Sequence, residues 1–434
     1  LLGDTKKIKE EVLGMKRRLC AKILVKYCFT ALVVAMFAGP VMAQAVGTAK
    51  NVIFMVPDGM GLSNVTAARI YWNGIAGEPL NLEKIERVGY QRTYSRNQTI
   101  TDSAPAASAW ACGEKFNDGE ICFHAEGGPN PSSILELAKK AGKATGLVAT
   151  STITHATPAA FAAHVQRRNC EYEIARQYVE VSRPDVILGG GKAKFVGMSN
   201  YDKDTKTCSA IDRGDLTEKA QQNGYTVVYN RSEMQNAVIQ GKKRLLGLFH
   251  DAGMTPECKR ADTAYGDPNA AEGLLCMDKK GPISTNEPKL SEMTRTALDM
   301  LEDSKKGFFL VVEGSQVDWA NHANDFEYQL GEMLAFDESV KTVLDWAGEK
   351  PMRKNQTLII VVADHDCGGF AVNGPYGAGK LVTKGKIEPG WTSLQHTGVD
   401  TVIWSQGPHS QKLAKGAIEN TYLYDVMKEA MRLK

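Results

Sequence analysis

Six side chains set the chemistry open to this sequence: Asp58, Asp318, His322, Asp364, His365 and His396. Carboxylate oxygens and imidazole nitrogens are the donors a divalent cation such as zinc takes from a protein. Asp318 and His322 are four residues apart, so on a helix they share one face and can grip one ion. Asp364 and His365 follow the apolar run LIIVVA, Asp58 follows NVIFMVP, and Glu313 closes FFLVVE. His396 precedes another apolar run, DTVIWS. Taken singly, each has a plainer reading, as a turn residue, a helix cap or a hydrogen-bonded histidine. Three Asp, three His and a Glu at the ends of successive apolar runs are hard to ascribe to turns. Together they read as a metal cluster.

Two more segments carry candidate groups. In TITDSAPAASAWACG (99–113), Ser103 lies where a polar stretch meets a run of small helix-forming residues, with Pro105 suited to the first turn. A serine there meets free backbone N–H groups and the positive end of the helix dipole, a seat for an anion. The alternative is that Ser103 merely caps the helix. In THATPAAFAAHVQRR (154–168), Thr157-Pro158 opens a helix expected to bear Arg168 about three turns on. A guanidinium fork suits a phosphate bidentately, although an isolated Arg is more often a solvated charge.

These groups need a scaffold that gathers strand ends. The runs 51–57, 144–150, 185–190, 307–314 and 357–364 are short and apolar throughout, as strands buried on both faces are. Residues 225–230, 244–249 and 400–405 are further candidates. Helical stretches lie between them, at 132–143, 291–306 and 327–349, and Asn420 is placed to cap a last helix over 420–434. This alternation predicts an α/β fold, a three-layer sandwich with a central, mostly parallel sheet covered by helices on both faces. Residues 195–290 are richer in polar residues and look like a decorating insertion. Residues 371–395, rich in Gly and Lys, read as a surface loop. In such sheets ligands bind beyond the carboxyl ends of the strands, where the metal-type residues fall.

The first 43 residues have a different logic. Lys16, Arg17, Arg18, Lys22 and Lys26 precede an uncharged run of 13 residues, Tyr27–Gly39, then Pro40 and the small-residue site Val41-Met42-Ala43. That order over 15–43 is a secretory signal peptide cleaved after Ala43. A membrane anchor would need about 20 apolar residues. Residues 1–14 precede Met15 and read as a start-site artefact. Removing residues 1–43 takes away eight basic and three acidic side chains, turning a net charge of +2 into −3. With 43% hydrophobic and 24% charged residues, the chain is a globular protein with no basic surplus for nucleic acid. Residues 44–434 are expected to act in the periplasm or outside the cell, with no membrane anchor.

An oxidising compartment lets cysteines pair. Seven follow the leader, so one is left over. Joining neighbours in sequence would pair Cys112 with Cys122, Cys170 with Cys208 and Cys258 with Cys276, leaving Cys367.

With these residues assembled, the sequence resembles the alkaline phosphatase family. The likeness rests on the order PDGMG, TDSA, THATPAA…AHVxxR, DVILGGG, VEGxxxDxxxH, ADH and HTG, and spans nearly all of the chain after the leader. It implies hydrolysis of small phosphate monoesters through a phosphoserine on Ser103, with Arg168 clamping the phosphate. Asp318, His322 and His396 would hold one zinc, and Asp58, Asp364 and His365 a second. Asp58, Thr157 and Glu313 would hold a third ion, usually magnesium. The family also implies a homodimer. His155 and Trp319 replace the Asp and Lys of some bacterial members, so His155 could ligate the third ion or shift its preference towards zinc or cobalt. Related phosphodiesterases, phosphomutases and sulfatases are the competing readings. Ser103-Ala-Pro-Ala-Ala lacks the Arg of the sulfatase motif, and Ser103 with Arg168 favours monoesters. A phosphate- or metal-binding module without catalysis is the reading from another class.

Overall fold

Strands whose residues are apolar at every position can be buried only if both faces of their sheet are covered, and β1 (Asn51–Pro57) shows this directly. Its Val52, Phe54 and Val56 point into one apolar layer, and Ile53 and Met55 into the other. The computed structural model describes residues 13–15, 47–127, 129–196, 214–260, 285–375 and 387–434. The leader at 15–43 therefore lies outside the described residues, apart from Met15.

The other strands are β2 (Arg87–Arg92), β3 (Ala144–Thr152), β4 (Val186–Gly190), β5 (Thr226–Val228), β6 (Leu245–Leu248), β7 (Phe308–Gly314) and β8 (Thr357–Val362). They are followed by β9 (Asp366–Cys367), β10 (Ala371–Gly374), β11 (Glu388–Gly390), β12 (His396–Thr397), β13 (Thr401–Gln406) and β14 (Ala417–Glu419). Ten strands form one sheet in the order β14-β2-β13-β8-β1-β7-β3-β4-β6-β5. From β8 to β5 every neighbouring pair is parallel. β13 runs antiparallel to β8 and β2.

Helices Ser103–Cys112, Ile134–Lys140, Ala156–Ala162 and Tyr422–Ala430 pack on one face. Helices Leu62–Asn73, Leu290–Leu301 and Phe326–Gly348 pack on the other. The fold is the expected three-layer α/β sandwich.

The structure differs from the sequence reading in five places. The described part of 195–290 is not all decoration, because β5 and β6 extend the main sheet at its edge. The described ends of 371–395 include β10 and β11, paired as a two-stranded sheet. The last helix starts at Tyr422, with Thr421 rather than Asn420 at its cap. Helix Ala156–Ala162 stops well before Arg168. Ala163 is extended there, Val165 pairs with Ile121, and the His164 N–H is taken by the Gln177 side chain. β2 escaped notice because its burial alternates on Gly89 and Gln91 rather than on apolar side chains.

Cys112 and Cys122 form a disulfide, and Cys367 is free and buried. Cys170 and Cys258 are also disulfide-bonded. The partners expected for them, Cys208 and Cys276, lie outside the described residues.

One buried contact ties the layers together beneath the ligand-bearing strand ends. The Trp110 ring sits 5.1 Å from Phe54, and its Nε1–H donates to Gln91 Oε1 at 2.8 Å. Gln91 Nε2 in turn donates to the Ala363 carbonyl and to Thr401 Oγ1. Trp110→Phe keeps most of the packing but strands a buried amide oxygen. We expect it to cost about 1–3 kcal/mol of stability, read as a lower urea midpoint with an unchanged denaturant slope.

Candidate metal centre

The parallel sheet brings the carboxyl ends of β8, β1, β7 and β3 side by side, and the candidate residues emerge there in that order. Asp364 and His365 follow β8, Asp58 follows β1, Glu313 ends β7, and His155 and Thr157 follow β3. Because β13 is antiparallel, its amino end lies at the same rim, which puts His396 of β12 there too. Asp318 and His322 lie on helix Gln316–His322, one turn apart as expected.

Two groups of donors result, each with its atoms within 4.8 Å of one another: Asp318, His322, Cys367 and His396, and Asp58, Asp364 and His365. In the first, the Nε2 atoms of His322 and His396 face each other at 3.1 Å. Their Nδ1 atoms are directed at the carbonyls of Leu394 and Thr101, at 2.6 and 2.8 Å. A carbonyl accepts only, so Nδ1 carries the proton and the Nε2 lone pair is free, the arrangement typical of metal-ligating histidines. Asp318 reaches the same two Nε2 atoms at 3.4 and 3.5 Å. In the second group, His365 Nε2 lies 3.1 Å from Asp364 Oδ2 and 3.6 Å from Asp58 Oδ1. The His365 and His396 rings stack at 3.5 Å, joining the groups.

The electrostatics show why cations belong here. Asp58, Glu313, Asp318 and Asp364 are all buried. Burial, then Asp364, Asp318 and Glu313, hold the Asp58 carboxyl well above its ordinary range. Burial pushes Glu313 up to about 7, and Asp364 adds to it. Burial also disfavours charge on Asp364 and His365, yet each stabilises the charged form of the other, so Asp364 falls below the carboxylate range and His365 rises. His396 is lowered to about 4, by burial and then by His365, and is neutral as a ligand must be. Both Asp58 oxygens, Glu313 Oε1, Asp318 Oδ1 and Thr157 Oγ1 are buried without a hydrogen-bond partner. Orphaned acceptors of this kind are what bound cations satisfy. The donors present fit divalent metal ions.

Ser103 stands beside them. It is the first residue of helix Ser103–Cys112, and Asp102, not Ser103, is the cap, accepting from the Ala104 N–H. Freed from capping, Ser103 Oγ lies 3.2 Å from His365 Nε2. Asp102 also holds Arg168 Nη1 at 3.3 Å, which keeps the guanidinium near the serine although Arg168 sits beyond the helix expected to bear it. Arg168 Nη2 donates to His155 Nε2 at 3.0 Å. That bond occupies one His155 nitrogen, and burial with Arg168 lowers the imidazole to about 4. Trp319 sits edge-on to His155, with ring centroids 5.9 Å apart.

Residues 49–388 match the family model for alkaline phosphatase. The chain belongs to the alkaline phosphatase family. It is 32% identical to alkaline phosphatase of Escherichia coli K12, over 89% of this chain and 87% of that one. It is 34% identical to streptomycin-6-phosphate phosphatase of Streptomyces griseus, over 89% and 91%. Among solved structures, alkaline phosphatase from the Antarctic bacterium TAB5 superposes with a TM-score of 0.71 at 27% identity, covering 90% of this chain and 99% of that one. As an alkaline phosphatase the protein is a metal-dependent hydrolase of phosphate monoesters.

Reading the sequence for donors passed over Asp102 and Cys367. Asp102 could have been found as the aspartate before the serine in TDSA, and Cys367 stands two residues after His365. Gly59 of PDGMG has a steric role. Its φ is +70°, and a β-carbon there would lie 2.7 Å from the Asp318 Cα. Its N–H donates to Asp364 Oδ1 at 3.1 Å. Gly59→Ala should therefore cost more than the roughly 1–2 kcal/mol of a left-handed alanine and should lower metal content. Gly224→Ala, at φ +87° with open space around it, should pay only the backbone cost and keep its metal. Thermal melts with elemental analysis check both.

Proposed function

We propose that this alkaline phosphatase works through Ser103 as nucleophile and Arg168 as phosphate clamp. Asp318, His322 and His396 would hold one zinc, and Asp58, Asp364 and His365 a second. The observation that carries the reading is the place of Ser103 Oγ, buried at a helix start and 3.2 Å from a nitrogen of one donor group. Two divalent cations about 4 Å apart can stabilise both the attacking and the departing oxygen of an in-line displacement. Ser103 Oγ attacks phosphorus and forms a phosphoserine as the P–O bond to the alcohol breaks, the serine proton passing to solvent and the leaving oxygen taking one from it. Water then cleaves that ester, freeing inorganic phosphate and restoring the hydroxyl. Arg168, steadied by Asp102, offers two N–H donors to the non-bridging oxygens, and the backbone N–H groups of the first helical turn add theirs.

The third ion is assigned to Asp58, Thr157 and Glu313. Thr157 Oγ1 and Glu313 Oε1 are buried and unpaired, and this set is all oxygen, which suits magnesium. His155 spends Nε2 on Arg168, so we assign it to positioning the clamp. His155 Nδ1, buried without a hydrogen-bond partner, is the ring nitrogen the arginine leaves free. The leader pattern at 15–43 and the Cys112–Cys122 disulfide favour a periplasmic or secreted enzyme. No helix among the described residues is long and apolar enough to cross a membrane. A homodimer is proposed on the family resemblance.

Comparing turnover of an aryl monophosphate with that of a bis-aryl phosphate tests the substrate class, since a diester-preferring enzyme would reverse the order. Ser103→Ala should retain its metal, lose covalent phosphate labelling, and fall in kcat by several orders of magnitude. Labelling that persisted in this variant would refute the nucleophile.

The pH response follows from Glu313. Its folded pKa of about 7 lies above its ordinary 4.5, so in the metal-free protein it favours the fold at low pH. That contribution is lost as pH rises from 4.5 to about 7. The metal-free melting temperature should fall across this window, and Glu313→Gln should flatten its share of the fall. Loading with metal should reverse the trend, because cations bind the ionised form.

A further inference from the structure

Beside the Asp318, His322 and His396 donors lies a side chain that neither the sequence motifs nor the proposed mechanism uses. Cys367 is buried and free. Its Sγ lies within 4.8 Å of the ligating atoms of all three residues. The backbone explains why. Cys367 of β9 pairs directly with His396 of β12, and side chains opposite one another in an antiparallel pair project from the same face. The Cys367 N–H is anchored on the Gly59 carbonyl at 3.1 Å, and the thiol makes a weak hydrogen bond to the Asp318 carbonyl at 3.6 Å. A second observation points into the same space: Asp318, 5% exposed, directs an unpartnered Oδ1 there.

We propose that Cys367 is a further protein ligand of the ion held by Asp318, His322 and His396. The inference rests on the assignment of those three residues to a cation. Coordination forms a metal–sulfur bond as the thiol proton leaves to solvent, with no change of oxidation state. A divalent cation supplies the positive charge that displaces a thiol proton on coordination. One carboxylate, two imidazoles and one thiolate make a four-donor set of the kind zinc accepts, and expansion to five donors leaves a place for the substrate oxygen. The soft sulfur biases the site towards zinc and cobalt over magnesium. The thiolate thus helps retain the ion in the substrate-free enzyme.

The test is cobalt substitution of the full-length protein. Wild type should show thiolate-to-cobalt charge-transfer absorption in the near ultraviolet, absent from Cys367→Ser and kept in Asp364→Asn. Metal loss to a chelator should be at least about tenfold faster in Cys367→Ser. As a measurement that needs no variant, X-ray absorption of the zinc-loaded wild type should show a sulfur shell at about 2.3 Å. Cobalt bound at this site, with its content lowered by His322→Ala but no charge-transfer band, would overturn the thiolate ligand alone. Cobalt content indifferent to His322→Ala and His396→Ala would overturn the three-residue site and the proposal with it. A band surviving in Cys367→Ser would also overturn it.

Discussion

Four buried carboxylates, Asp58, Glu313, Asp318 and Asp364, converge at the rim of the sheet, and this repulsion governs the rest of the design. Burial, and then Asp364, Asp318 and Glu313, disfavour charge on Asp58. Without cations the site can relieve the repulsion only by holding protons on Asp58 and Glu313. In the proposed metal-loaded state, divalent ions would remove the conflict and take the same oxygens as ligands. Metal binding and the electrostatic integrity of the core are therefore one requirement.

The scaffold pays for this arrangement with rigidity close by. Asp364 is oriented by two backbone N–H groups, those of Gly59 and of His365. His322 and His396 are aimed by carbonyls of distant segments, Leu394 and Thr101. Thr101 stands two residues before Ser103, so the element that presents the serine also fixes a histidine of the neighbouring donor group. Asp102 divides its carboxylate between capping the serine's helix and holding Arg168. Ser103, Arg168 and the two donor groups are positioned as one unit, as the proposed electrostatic preorganisation requires.

His155 shows how a donor can be diverted. By type and place it is a metal ligand, yet its Nε2 accepts from Arg168, and the low basicity that burial imposes keeps it neutral. With Trp319 packed edge-on against it, the imidazole braces a guanidinium. In the proposed mechanism the histidine would act on the phosphate through the arginine.

The central strands, the layer arrangement and most of the residues that meet in the two donor groups were legible in the sequence, because they rest on local patterns. Runs such as NVIFMVP can only be doubly buried strands, and a polar residue at such a run's end must leave the core at the rim where ligands bind. The i, i+4 spacing of Asp318 and His322 likewise needs nothing beyond helical geometry. Tertiary structure alone decided the rest. That Arg168 leaves its helix follows from Val165 pairing with Ile121, more than forty residues earlier. That Cys367 faces the metal donors follows from its register with His396. That His155 serves Arg168 follows from a bond between two side chains on different turns of chain. Register and long-range pairing depend on energies summed over the whole fold, and no local spacing encodes them.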